Sequence, residues 1–110
     1  MEEVSSMSSK EKAKGNRIER LVVNQFKDNN IESKRAWGSD GRSLGWHEEV
    51  DVVAIIDERH WKFQVKGRKA IADYLKPNLD AVDAQILKED RQPLLVVLPF
   101  DEFVKLVVNE

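Results

Sequence analysis

Four residues of this chain could do chemistry together: Glu19, Asp51, Gln64 and Lys66. Asp51 is the second residue of Val50-Asp51-Val52-Val53-Ala54-Ile55-Ile56, a run that is apolar on both alternating faces, as in a strand covered on both sides. A carboxylate buried there is costly unless a cation, a metal or several hydrogen bonds compensate it. In Trp61-Lys62-Phe63-Gln64-Val65-Lys66, Gln64 and Lys66 share a parity, so an amide oxygen and an ammonium project from one face of the next strand. Phosphodiester hydrolysis would use all of these types. The attacking water must lose a proton near neutral pH, the pentavalent phosphorus carries extra negative charge and the leaving alkoxide needs stabilising, tasks that a hard divalent cation on oxygen ligands can share. Magnesium, with manganese as a substitute, takes one or two carboxylates plus waters and substrate phosphate. Asp51 is the expected direct ligand, with the Gln64 side-chain oxygen and the Val65 carbonyl completing the protein half of the sphere. Lys66 would orient the water, and Glu19 would bind a second ion or a metal-bound water.

Each residue also has an ordinary role to set beside this one. Glu19 could favour the helix dipole or pair with Lys12 or Arg20. Asp51 could be half of a salt bridge to Arg35 or Lys66. Lys62, Gln64 and Lys66 could form the wet face of an antiparallel strand whose dry face is Trp61, Phe63 and Val65. The apolar neighbouring strand argues instead that the Gln64 and Lys66 face is covered or lines a cleft. Glu49 shares parity with Asp51 and could add a charge, and His47 could donate a proton nearby.

The elements that must position these residues follow from periodicity. Residues 1–11 are polar, Ser-rich and without period, which predicts a disordered leader, and residues 12–110 then form a single domain. Ile18, Leu21, Val22 and Phe26 define the stripe of a helix over 12–29, ended by Asn29-Asn30, and Glu19 falls on the margin of that stripe. Short strands are expected at 31–37, 50–56 and 61–66, the last two joined by Asp57-Glu58-Arg59-His60. Leu79, Val82, Ile86 and Leu87 predict a helix over 78–89, Leu94 to Leu98 a fully apolar strand, and Asp101 the cap of a final helix with Phe103, Leu106 and Val107 inward. The expected fold is an α/β domain of order αβββαβα with a mixed central sheet flanked by helices.

Composition narrows the function. The chain has 110 residues, no cysteine and two histidines, so disulfide frameworks and thiolate zinc sites are excluded and a reducing cytoplasm is the natural compartment. No apolar run is long enough to span a membrane. The formal net charge is -2, yet Lys10, Lys12, Lys14, Arg17 and Arg20 cluster around the first helix and Arg59, Lys62, Lys66, Arg68 and Lys69 around the Gln64 strand. Local basic patches of this kind suit phosphate, although charge runs are also simply solvated faces. Arg68 and Lys69, directly after Lys66, are the best phosphate contacts, with Lys14, Arg17 and Arg35 as further DNA contacts. The Gly38-Ser39-Asp40-Gly41-Arg42-Ser43-Leu44-Gly45 loop between Trp37 and Trp46 could reach DNA through Arg42 and aromatic stacking, or its tryptophans could turn back into the core.

Gly15-Asn16-Arg17-Ile18-Glu19-Arg20, Val50-Asp51-Val52 and Gln64-Val65-Lys66 with Arg68-Lys69 resemble, in that order, the motifs of the PD-(D/E)xK nuclease superfamily, and within it the small Holliday junction resolvases of archaea and phages. The resemblance covers residues 14–98. It implies a restriction-endonuclease-like αβββαβ core, a magnesium or manganese cofactor, branched DNA as substrate, a homodimer that cuts two strands symmetrically, and a bacterial, archaeal or phage-infected host cytoplasm. It also implies a functional serine in the glycine-rich loop, Ser39 or Ser43. Two positions depart from the motif: Val50 replaces the usual proline, and Gln64 replaces the second acid, removing one negative charge from the metal site. The expected activity is therefore a metal-dependent endodeoxyribonuclease, a Holliday junction resolvase first. A nuclease of nicking, flap or duplex specificity, or a catalytically weak nucleic-acid-binding module of the same fold, is the alternative.

Overall fold

The computed structural model describes residues 2–36 and 46–108, with side chains from residue 13 onward. The element order is α1 (Glu2–Asp28), β1 (Ser33–Arg35), β2 (Val52–Ile56), β3 (Arg59–Phe63), a single 3-10 turn (Asp73–Leu75), β4 (Gln85–Leu87), β5 (Leu95–Val97) and α2 (Phe100–Val108). The protein is thus mixed α/β, and its chain separates into two compact units, Met1–Gly67 and Arg68–Glu110.

In the first unit, α1 begins at Glu2, within the stretch read from the sequence as a leader. Nothing before Gly15 breaks a helix, since neither proline nor glycine occurs there. The helix ends in a Schellman arrangement: Asn30 takes φ 62°, its N–H donates to the Lys27 carbonyl at 3.0 Å, and the Ile31 N–H donates to the Phe26 carbonyl at 2.9 Å. Val23 and Phe26 are buried, whereas Leu21, expected inward, is 64% exposed. The inward stripe is centred on Glu19, Val23 and Phe26, so Glu19 lies nearer its middle than its margin.

Beneath α1 lies a three-stranded antiparallel sheet in the order β1-β2-β3. Arg35 pairs with Val52 and Ser33 with Ala54 on one side of β2, and Val52 pairs with Phe63 and Ile56 with Arg59 on the other. The β2–β3 connection is shorter than expected. Asp57 and Glu58 alone make the turn, with φ 55° and 65°, the two positive values that a type I′ hairpin requires. Val52, Ala54, Phe63 and Ser33 share the face packed on α1: the Phe63 ring lies 5.5 Å from that of Phe26, tilted by 37°, and the buried Ser33 Oγ donates to the Val23 carbonyl at 3.2 Å. Val52 and Ala54 are wholly excluded from solvent and Val53, on the opposite face, is nearly so.

The second unit departs from the sequence reading. Residues 78–89 form no helix; Asn78 Oδ1 accepts from the Asp80 N–H at 3.2 Å in a turn, and residues 85–87 become β4, antiparallel to β5. The physical reason is that Leu79, Val82 and Ile86 are 58%, 47% and 62% exposed, so the expected helix has nothing to bury its stripe against. The mixed central sheet is accordingly replaced, among the described residues, by a three-stranded and a two-stranded sheet, both antiparallel. In α2 the inward side chains are Val104, which is buried, and the half-buried Phe100, Phe103 and Val107, while Leu106 points to solvent. Among the described residues no helix is long and apolar enough to cross a membrane.

Candidate active site

Asp51 sits one residue before β2 and joins three pieces of backbone. Its N–H donates to the Phe63 carbonyl at 2.8 Å, its own carbonyl accepts from the Ala36 N–H at 2.9 Å, and its Oδ2 accepts from the Val65 N–H at 2.8 Å. The half-buried carboxylate is therefore compensated by a main-chain donor, where the sequence offered Arg35 or Lys66 as ion-pair partners. Oδ1 accepts no hydrogen bond among the described residues, and no buried side-chain oxygen there is left unsatisfied, so Oδ1 opens to solvent. One oxygen is held and one is available, which suits a hard cation.

The bond to the Val65 N–H places Asp51 beside the middle residue of Gln64-Val65-Lys66. Beyond Phe63 the burial pattern still alternates: Val65 and Gly67 are half-buried, Lys62, Gln64 and Lys66 exposed. Gly67 lies against α1 so tightly that a Cβ there would run into the Ile18 Cδ1 and come within 3.3 Å of the Lys14 Cε. Gln64 and Lys66 thus occupy the wet alternation of this strand and its extension, and Lys66 forms no ion pair among the described residues.

Glu19 approaches from the other side. Its Oε1 accepts from the Arg35 Nε at 3.1 Å, and the Arg35 Nη2 donates to the Asn16 Oδ1 at 2.6 Å. The Arg35 and Glu19 side chains are only 17% and 14% exposed. Because Arg35 pairs with Val52 and Ala36 bonds to Asp51, this cluster ends at the rung next to Asp51. The fold therefore brings Glu19, Asp51 and Val65 to one end of the sheet, with Glu19 already committed to a guanidinium. Among the described residues no three histidine or acidic side chains gather to hold a metal ion, so a cation here would depend on Asp51, the neutral Gln64 amide and the Val65 carbonyl. That is an all-oxygen set with a single uncommitted carboxylate, compatible with magnesium bound mainly through water.

Of the expected DNA contacts, Lys14 is half-buried beside Gly67, Arg17, Arg68 and Lys69 are exposed, and Arg35 is engaged with Glu19 and Asn16. Trp37, Ser39, Arg42 and Ser43 lie outside the described residues. Trp46 is half-buried, 6.0 Å from the His60 ring, and lines with Lys34, Val53 and Ile55 a cavity of about 290 Å³ on the sheet face away from α1. His47 is exposed and its Nδ1 accepts from the Glu49 N–H at 3.1 Å, a local turn contact. Asn16 is the site residue that the sequence reading passed over. Its spacing of three from Glu19 on one helix carried the signal, because i and i+3 side chains share a face. Comparison with protein-family models, with curated proteins and with solved structures finds no match to this chain.

Proposed function

We propose that the protein is a metal-dependent endodeoxyribonuclease of the PD-(D/E)xK kind, acting on branched DNA as a Holliday junction resolvase. In this reading α1 and the β1–β3 sheet correspond to the first half of a restriction-endonuclease-like core, two chains act together to cut two strands, and the work is done in the cytoplasm. The observation that carries the reading is the Asp51 to Val65 hydrogen bond of 2.8 Å, which sets the strand aspartate against Gln64-Val65-Lys66 while leaving Oδ1 open. Asp51, the Gln64 amide oxygen and the Val65 carbonyl would hold a magnesium or manganese ion, which when bound would acidify a water and offset phosphoryl charge. The Lys66 ammonium would orient the attacking water and counter charge on the phosphoryl oxygens. Lys14, Arg17, Arg68 and Lys69 would hold the flanking backbone phosphates, a sequence-independent attraction that falls with salt.

The test is cleavage of a four-way junction, a flap and a linear duplex with magnesium or manganese. The wild type is expected to cut the junction, and Asp51→Asn, whose amide oxygen can still accept from Val65, to lose cleavage by about a hundredfold or more while keeping its fold and DNA affinity. Gln64→Glu is expected to retain cleavage at equal or lower magnesium, since it restores a charged ligand. Specific observations also support a second reading, a nucleic-acid-binding module of the same fold without catalysis: Gln64 is neutral and Glu19 is neutralised by Arg35. Junction binding without cleavage at any magnesium or manganese concentration would decide for that module.

A further inference from the structure

The Arg35 guanidinium already holds Glu19, the carboxylate expected from the sequence to bind a second cation. It meets Glu19 at 3.1 Å and Asn16 at 2.6 Å, the ion pair is largely shielded from water, and it ends at the rung beside Asp51. A dication could share the Glu19 carboxylate only if the guanidinium gave up its place on it. Arg35 would have to swing away, against its hydrogen bonds to Glu19 and Asn16, and until it did a metal ion on Glu19 would face a like charge in surroundings that screen poorly. We infer that Arg35 takes the place of a second metal ion, so that the site binds one divalent cation per chain. This inference rests on the nuclease reading above. Arg35 is then a positioning residue: it ties α1 to β1 beside the metal ligands and fixes the number of ions, and Glu19 is its anchor, not a ligand.

The experiment counts Mn²⁺ bound to the full chain without DNA, by the electron paramagnetic resonance signal of the free ion, with a thermal unfolding curve for each variant. The wild type is expected to take up one ion, and Glu19→Gln to keep that ion with a dissociation constant changed by less than about threefold, because no ligand is lost. Asp51→Asn should weaken it by about tenfold or more, as loss of a charged oxygen ligand does. Arg35→Gln, which frees the Glu19 carboxylate, should gain a second and weaker ion, whereas Arg35→Lys should remain at one. Two ions on the wild type, or a loss of about tenfold or more in Glu19→Gln, overturns the inference and leaves the nuclease reading standing. No Mn²⁺ uptake by the wild type at millimolar concentration removes both. If Arg35→Gln does not fold, the ion count of the wild type and the Glu19→Gln affinity still decide.

Discussion

Val23, Phe26, Ala36, Val52, Val53, Ala54 and Ile56 are sealed from solvent in Met1–Gly67, whereas Val104 is the one apolar residue so buried among the described residues of Arg68–Glu110. The exposed large apolar side chains show the converse, with Leu21 in the first unit and Ile71, Tyr74, Leu79, Val82, Ile86, Leu94, Leu95, Val96, Leu106 and Val108 in the second. The two apolar strands make the contrast sharpest. Residues 52–56 lie between β1 and β3 under α1 and are buried, while residues 95–97, of similar composition, pair with one short strand and stay largely exposed. How far a strand is buried depends on how many neighbours it acquires, and two strands alone bury little. The candidate chemistry belongs to the better-packed unit, where backbone positions are fixed by neighbours on both sides.

This contrast can be broken at its strongest point by removing Phe26, which is fully buried against Phe63. Phe26→Ala is expected to cost about 3–5 kcal/mol in a urea unfolding curve, against less than about 0.5 kcal/mol for Leu95→Ala in the second unit. Equal losses would mean that Leu95 is packed in solution and the contrast is false. A smaller effect is expected from Ser33→Ala, which deletes the buried hydroxyl bonded to the Val23 carbonyl and should cost about 1 kcal/mol by the same measurement. The smallest change is a gain. Replacing Asp57-Glu58 by Asn-Gly suits the two positive φ values and should raise stability by about 0.5–1 kcal/mol, read as a higher denaturant midpoint at unchanged slope. A loss in its place would show that the hairpin turn is not of the I′ type.

The first unit was largely legible in the sequence, and the second was not. Asn30 announced the end of α1, the run 50–56 announced its buried strand, and the alternation of Trp61 to Lys66 announced which residues share a face. The alternative in which Lys62, Gln64 and Lys66 form a wet face describes their exposure, because the strand after β2 has α1 on one side only. The stripe Leu79, Val82, Ile86 misled because helical spacing specifies a helix only when something packs on it, and here cross-strand pairing of Ile86 with Val96 prevailed. Leu106 and Val104 were exchanged for the same reason, since helix periodicity alone does not say which edge of a broad apolar face meets the protein. At the site, the order Glu19, Asp51, Gln64, Val65, Lys66 was readable, but the partners were not. Whether Asp51 meets a guanidinium or a main-chain N–H depends on the end of a β ladder, and spacing along the chain does not encode that. Arg35 illustrates the same limit: it was offered as a DNA contact or a partner of Asp51, and its contacts to Glu19 and Asn16 of α1 could not be read from spacing.

The three bonds made by Asp51 bear on how mutants and relatives of this protein should be read. Removing its carboxylate also frees the Val65 amide and loosens the point where three chain segments meet, so an alanine at this position would silence the protein for architectural reasons even if it had never bound a metal. Selection for folding alone would then preserve this aspartate in a related chain that carried out no chemistry. Lys66, exposed and without an ion-pair partner among the described residues, has no such structural protection. Its persistence or drift among relatives is therefore the more sensitive record of whether the proposed activity is present.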